Sequence, residues 1–328
     1  MTEGGTLGQQ RKIVMWRQRV EGGLAVALAL LCAGVSAEQG GKIRLGLELA
    51  EGESHRMKVV MDQQVNQTVM GMAQDVHQTM ETIYRFDVTE VDQDGVALVK
   101  WTQESIHLSQ QGPFGNVEYD SSEGGAASTP LVQGYAAMVG KEFSARIART
   151  GAVTDVQGFD AVLEELLTDM PLGEGPQAEA LRESLRGQIG DEAMADMLTS
   201  TLAIYPTEPV GIGDNWSRRV EISTGFPVIT ETTWTLKERR DGIAVIDVQS
   251  IVSSNADAPP LQMGAMAIRI DVAGDQTGTI EVDEATGWIV RGDVRQQLAG
   301  QASLTGAPEM EDMTWPMKIA GTITTEAL

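Results

Sequence analysis

From Lys42 onward, apolar and polar residues alternate with period two, the pattern of a strand with one buried face. Met57, Val59 and Met61 share a face, and Val65 and Val69 continue it. Gly71 turns the chain, and a second strand runs to about Val91 with Met80, Tyr84, Phe86 and Val88 on one side. Asp92-Gln93-Asp94-Gly95 reads as a hairpin turn, because glycine supplies the positive φ, and a third strand returns over 96–108. These strands make an antiparallel meander. Residues 116–130, rich in Ser, Gly and acids, read as a loop. Phe143, Ala145 and Ile147 lead into a hairpin at Thr150-Gly151 that returns through Val153.

The period then changes. Phe159, Val162, Leu163, Leu166, Leu167 and Met170 form one apolar stripe at helical spacing. Pro176 can open a second helix with Leu181, Leu185 and Ile189 on its face. Gly190 ends it, and Asp191 is placed to cap a third helix bearing Met194, Met197, Leu198 and Leu202. Strands resume at Trp216. Further strands are expected near 228–238 and 243–254, either side of an Asp241-Gly242 turn. After a loop at 255–262, more follow at 268–272, 279–282, 288–298 and 317–325.

The two β regions echo each other. Gly52-Glu53 precedes the first long strand and Gly213-Asp214 its counterpart. Glu81-Thr82, Tyr84 and Phe86 lead to Asp94-Gly95; Glu231-Thr232, Trp234 and Leu236 lead to Asp241-Gly242. Thr150-Gly151 matches Thr286-Gly287. The expected fold is therefore α+β and predominantly antiparallel β, with two pseudo-repeated curved sheet modules and a helical insert. The boundaries that follow are an N-terminal β module at 38–158, the insert at 159–206 and a C-terminal β module at 207–328. The modules could share one curved sheet with helices on its concave face, or form two sheets in contact.

The chain has 328 residues, with 47 acidic against 24 basic side chains and a net charge of −23. That balance excludes nucleic acid and anionic membrane surfaces as partners through bulk electrostatics, since phosphates need basic stripes. The basic pairs Arg218-Arg219 and Arg239-Arg240 read as isolated and solvated. The acids are dispersed, which suits solubility.

Segment 1–37 reads as a signal peptide. Arg11, Lys12, Arg17 and Arg19 form a positive start, an apolar run spans 24–35, and Val35-Ser36-Ala37 supplies a small-x-small cleavage pattern. The run is too short to cross a hydrocarbon layer of roughly 30 Å. Cleavage after Ala37 is expected, giving a periplasmic or secreted protein without a stable transmembrane helix. Either Met1 or Met15 could be the start. Cys32, the one cysteine, lies in the apolar run behind Leu31, which does not suit a lipoprotein signal. The exported chain would then lack cysteine altogether, so no disulfide, thiolate nucleophile or iron–sulfur centre is expected.

Candidate chemistry is sparse. Of His55, His77 and His107, the last two lie on neighbouring expected strands but out of phase with the apolar positions, so a metal site is not expected. Asp92, Asp94 and Gly95 lack the remaining ligands of a calcium loop and read as turn chemistry. Met70 and Met72, and Met310, Met313 and Met317, form small groups that suit core or pocket lining better than copper. Glu164-Glu165 sits on the polar face of a helix, without the burial a general acid needs. No nucleophile elbow, phosphate loop or dinucleotide fingerprint occurs. No catalytic, cofactor-binding or metal residues are assigned, and no cofactor is expected.

The order of short motifs resembles an uncharacterised bacterial exported-protein family, the domain of unknown function 6263. The motifs are Leu45-x-Leu-x-Leu with Gly52-Glu53, Val88-Thr89-Glu90-Val91-Asp92, Asp94-Gly95 and Tyr119-Asp120-Ser121. Val139-Gly140-Lys141 with Phe143, Gly151 with Val153, and Gly213-Asp214-x-Trp216 complete the set. The family carries no activity or site residues to transfer. A curved antiparallel sheet with helices is also similar, at fold level only, to periplasmic lipoprotein-carrier folds. The expected function is non-enzymatic, an exported cell-envelope binder of a lipophilic small molecule or an envelope protein. An envelope hydrolase using an unidentified carboxylate site, or a purely structural role, are the alternatives.

Overall fold

The structure is a computed structural model that describes residues 41–113, 115–124, 130–169, 190–222, 227–258, 260–263, 266–306 and 312–328. The expected signal peptide, the expected helix from Pro176, Met170 and Met310 lie outside the described residues. In chain order the described elements begin with β1 (Ser54–Val69), β2 (Met72–Val91), β3 (Ala97–Gly112), β4 (Gly115–Asp120), α1 (Pro130–Met138), β5 (Glu142–Ile147) and β6 (Val153–Gln157). Then come α2 (Phe159–Asp169) and α3 (Asp191–Leu202). The rest comprises β7 (Asn215–Ile222), β8 (Val228–Arg240), β9 (Ile243–Ser254), β10 (Leu261–Met263), β11 (Met266–Asp283), β12 (Ile289–Thr305) and β13 (Met313–Ala327). These thirteen strands of the described residues belong to one antiparallel sheet, ordered β6-β5-β3-β2-β1-β13-β12-β11-β9-β8-β7, with β4 added to β3 and β10 to β11.

That order contains the same unit twice. The unit β6-β5-β3-β2-β1 recurs as β12-β11-β9-β8-β7 in the same direction, and β13 is the strand that joins them. The match extends to single hydrogen bonds. Gly52 N–H donates to Val88 O (2.9 Å) and Val88 N–H to Glu53 O (2.9 Å). In the second unit, Gly213 N–H donates to Leu236 O (2.7 Å) and Leu236 N–H to Asp214 O (3.0 Å). Both glycines have positive φ, 87° and 89°. A β-bulge follows at the same place in each copy, between Val88 and Glu90 and between Leu236 and Glu238.

Two strand expectations are corrected. The loop expected at 116–130 holds β4, whose Val117 and Tyr119 alternate with polar residues over too few positions to stand out, and it ends at the start of α1. The separate strands expected at 268–272 and 279–282 are one strand, β11, running through Gly274 and Gly278. Glycine normally weakens a strand, but a Cβ at Gly274 would collide with Gln297 O, one at Gly278 with Asp293 O, and one at Gly300 with Asp271 O. The neighbouring backbone approaches so closely at these points that it excludes any side chain.

The cross-strand register defines one inner face. Ile106, Thr82, Val59, Thr325, Gly292, Ile280, Ile246 and Leu236 are successive partners from β3 across to β8. The sheet curls until this face packs on itself. Trp101 and Phe143 from one wing share a buried cluster with Trp234, Leu236 and Ile246 from the other. Phe159 and Val162 of α2, and Ile204, Tyr205 and Val210 of the link into β7, fill the same core. At the opposite end of the long strands a second cluster forms from Val228, Val252, Val272, Leu298, Met317 and Ile319. The α2 stripe is buried at Phe159, Val162, Leu163 and Leu167 as its spacing implied. On α3, Met194, Leu198 and Leu202 pack on the core while Met197 is exposed. Asp191 does not cap its own helix: Gly190 is the N-cap residue, and the Asp191 carboxylate accepts the Phe159 N–H of α2 (2.7 Å).

Candidate functional site

The inner face differs from the outer one in its negative charge. Among the described residues, no carboxylate occupies the inner rows of β1, β2, β3, β7, β9, β11, β12 or β13, nor of β8 up to Leu236. The acids fall on the alternate rows: Asp62 and Asp75, Glu81 and Asp87, Glu231 and Asp247, Asp271 and Asp275, Asp293 and Glu326. In a chain with 47 acids this partition is a consequence of burial, because an ionised carboxylate taken out of water without a partner is strongly unfavourable.

A polar belt crosses the inner face. Gln110, Gln78, Gln63, Gly321, Gln296, Gln276, Ser250 and Thr232 are consecutive cross-strand partners, and the belt ends at Arg218 on edge strand β7. Gln276 Nε2 donates to Gln296 Oε1 (3.3 Å), and the hydroxyls of Thr232 and buried Ser250 are 2.8 Å apart. Beside the belt run apolar rows. Met61, Met80, Val294 and Ile323 lie on one side, Val65, Val76, Leu298 and Ile319 on the other. Leu298 and Ile319 are buried, whereas Met61, Met80, Val294 and Ile323 are only half-buried. The inner face thus keeps an apolar stripe that the chain's described residues leave partly open.

The solvated basic pairs expected from sequence are corrected. In a strand, adjacent residues point to opposite faces, so one arginine of each pair turns inward. Arg219 is exposed and pairs with Glu221 and, at 3.5 Å, with Glu231, while Arg218 is half-buried on the row of Trp216, Val220 and Ile222. Arg239 makes a bidentate pair with Glu284 (2.8 and 2.7 Å), both largely buried, and Arg240 reaches Glu281 (2.9 Å). Among the described residues Arg218 has no carboxylate within ion-pair distance and donates no side-chain hydrogen bond.

At the closed end the inner face is aromatic. His55 stacks on Trp288 at 4.5 Å, Phe86 meets Trp288 edge-on at 5.3 Å, and Tyr84 lies beside Phe86. Gln103 Nε2 and Trp288 Nε1 are buried without a hydrogen-bond acceptor. Burial pushes the Tyr84 hydroxyl pKa above its ordinary value. Tyr205, buried and donating to Gly287 O (2.5 Å), is pushed up further by the same cause.

The residues weighed from sequence do not converge. His77 sits 3.1 Å from Asp62 and His107 3.2 Å from Asp120, both on outer rows, and no group of three metal-ligating side chains occurs among the described residues. The Asp92 carboxylate accepts the N–H groups of Asp94 and Val96 at 2.9 Å, so it serves the turn itself. Glu165 pairs with Lys141 (2.6 Å). Met57, Met61 and Met80 lie on the inner face and Met317 is buried, whereas Met70 and Met72 stand exposed at the β1–β2 hairpin tip. Among the described residues, the carboxylates with displaced pKa values are all displaced downward. Asp120 is held down by the Ser122 hydroxyl, Asp214 by Lys42, Asp283 by the Thr286 N–H and Glu284 by Arg239. A general acid needs the opposite shift. Two shallow open depressions, about 540 and about 260 Å³, lie over outer-row residues such as Asp271 and Gln301, and Asp62 and Arg295.

The fold is similar to several solved structures at low identity. One is titled "Lipid-protein interactions in lipovitellin", with a TM-score of 0.46, 10% identity, and 86% of this chain and 25% of that one covered. This chain therefore spans about a quarter of lipovitellin's length. Others are OccK7 (OpdD) of Pseudomonas aeruginosa (TM-score 0.24, 7% identity, 84% and 99% covered) and the translocator domain of the autotransporter NalP from Neisseria meningitidis (TM-score 0.20, 6% identity, 85% and 89% covered). No curated protein matches the chain in sequence. No helix of the described residues is long and apolar enough to cross a membrane. Residues 94–289, which run from the first Asp-Gly turn to the start of β12, match the family described as "Family of unknown function (DUF6263)", and the chain belongs to that family.

Proposed function

We propose that this protein is an exported, non-enzymatic binder that shelters the apolar part of a lipophilic ligand against the inner face of its curled sheet. The observation that carries the reading is the carboxylate-free inner face with its half-buried stripe of Met61, Met80, Val294 and Ile323. Binding faces for lipophilic molecules are mostly apolar with a few placed polar groups, and unbranched methionine adapts to varied chains. The signal-like segment 1–37 supports a location outside the cytoplasm.

Native mass spectrometry on protein purified from the envelope fraction of its host tests this. A retained mass that organic extraction removes is the expected result. Bare protein, together with no change in tryptophan fluorescence on adding oleate or oleyl alcohol, would overturn the reading. The same spectrum reads the mature N-terminus, expected at Glu38.

A further inference from the structure

The charge pattern of the inner face points to a head-group site at Arg218. We infer that Arg218 anchors the anionic carboxylate of a single-chain amphiphile whose tail lies along the adjacent apolar row. This deepens the binder reading and rests on it.

Three observations converge. First, Arg218 is a half-buried charge with no anion beside it among the described residues, although the chain carries 47 acids. Its inner-face neighbours are Trp216 and Val220 on its own strand and Thr232 opposite. Past the β8 bulge the other inward arginine, Arg239, already has Glu284 on both its nitrogens. An unpaired guanidinium on an apolar face is unfavourable for folding, and a bound anion removes that penalty. Second, the surroundings suit one small planar anion. The guanidinium fork matches a carboxylate in bidentate fashion. The Thr232 and Ser250 hydroxyls, 2.8 Å apart, lie next along the belt as further hydrogen-bonding groups. There is no second cation on this row for a doubly charged head. Third, the apolar row beside the belt runs Trp216, Trp234, Val248, Gly278, Val294 and Ile323, with Trp234 and Val248 buried in the core and Trp216, Val294 and Ile323 half-buried. Val294 is four strands from β7, about 19 Å along the sheet, which suits an extended long acyl chain. Gly278 leaves the middle of that row without a side chain.

Titrating full-length protein and Arg218→Met with oleate and with oleyl alcohol, below their aggregation concentrations, tests the assignment. Trp216 and Trp234 lie beside the site and report by fluorescence. Wild-type protein is expected to bind oleate at least about tenfold more tightly than oleyl alcohol, and Arg218→Met to lose that preference while keeping its affinity for the alcohol. The variant removes an unpaired charge, so its melting temperature is expected to be unchanged or higher. Equal wild-type affinity for acid and alcohol would overturn the head-group site and leave the binder reading standing. Binding of neither would overturn both. Loss of both ligands in a variant that melts normally, or a wild-type preference for lysophosphatidylglycerol over oleate, would also overturn the carboxylate assignment.

Discussion

Asp160 and Asp191 cap each other's helices. The Asp191 carboxylate accepts the N–H groups of Phe159 (2.7 Å) and Asp160 (3.3 Å) at the start of α2, and Asp160 Oδ1 accepts the Asp191 N–H (3.2 Å) at the start of α3. Each acid also sits where the helix dipole favours negative charge. Replacing Asp191 by Ala leaves the first N–H groups of α2 without an acceptor, and a loss of about 1–2 kcal/mol is expected. Asp191→Asn, which keeps the oxygen, is expected to recover most of it. Urea unfolding of the two variants measures the difference; equal losses would mean that the cap geometry is not what matters.

The turn between β11 and β12 makes stability depend on acid pH. The Asp283 carboxylate accepts from the Thr286 N–H (2.8 Å), the Thr286 hydroxyl (3.0 Å) and the Ala285 N–H (3.0 Å), and Glu284 holds Arg239. Both carboxylates therefore have folded pKa values below the ordinary 3.8 and 4.5. The unfolded chain binds protons more readily, so their contribution is complete above the ordinary carboxylate range and is lost as pH falls through the lowered folded values. Urea midpoints taken from pH 7 to 3 are expected to fall less steeply in an Asp283→Asn, Glu284→Gln double variant than in wild type.

The duplicated unit predicts paired responses. Gly151 and Gly287 occupy the equivalent Thr-Gly turns at φ 80° and 72°, and a Cβ on either would collide with backbone, Leu202 O in one case and Gly46 O in the other. Gly52 and Gly213 also have positive φ, but open space surrounds them. Alanine at Gly52 or Gly213 is expected to cost about 1 kcal/mol for the left-handed backbone alone. At Gly151 or Gly287 the added clash raises the loss to about 3 kcal/mol or more. Thermal melts of the four variants should fall into these two pairs rather than sort by module.

Much of this architecture is legible in the sequence. Alternation marks β1 to β3 because both their faces are long enough to display it, and Asp-Gly and Thr-Gly turns mark the repeat. What escapes detection has physical causes. Inner-face glycines at 274 and 278 look like strand breaks because glycine usually is one, and only the close approach of the neighbouring backbone gives them a purpose. Val117 and Tyr119 are two apolar residues in a polar stretch, too few for a period. Arg218 is the instructive miss. Period two requires that one member of Arg218-Arg219 face inward, and the phase set by Trp216, Val220 and Ile222 says which. That signal was available in the sequence, but two adjacent charges read as solvent-exposed. The polar belt could not be found in the sequence, because it exists only after register aligns residues from separate strands.

The face assignment itself can be tested with one acid placed on either side of β1. Val65 lies on the inner row between Val76 and Ile319, against the second core cluster, while neighbouring Gln64 lies on the exposed outer row. Val65→Asp places a carboxylate where the described residues have none, with no basic partner on its row. A loss of about 2–4 kcal/mol at neutral pH is expected from burying an unpaired charge, against less than about 0.5 kcal/mol for Gln64→Asp. The two variants should also differ in their pH response. Burial raises the folded pKa of the inner aspartate above its unfolded value, so its deficit is full at pH 7 and shrinks as pH falls toward the ordinary carboxylate range. Unfolding midpoints at pH 7 and 5 read both effects. Equal losses in the two variants would mean that Val65 does not face the interior, and the carboxylate-free face would lose its meaning.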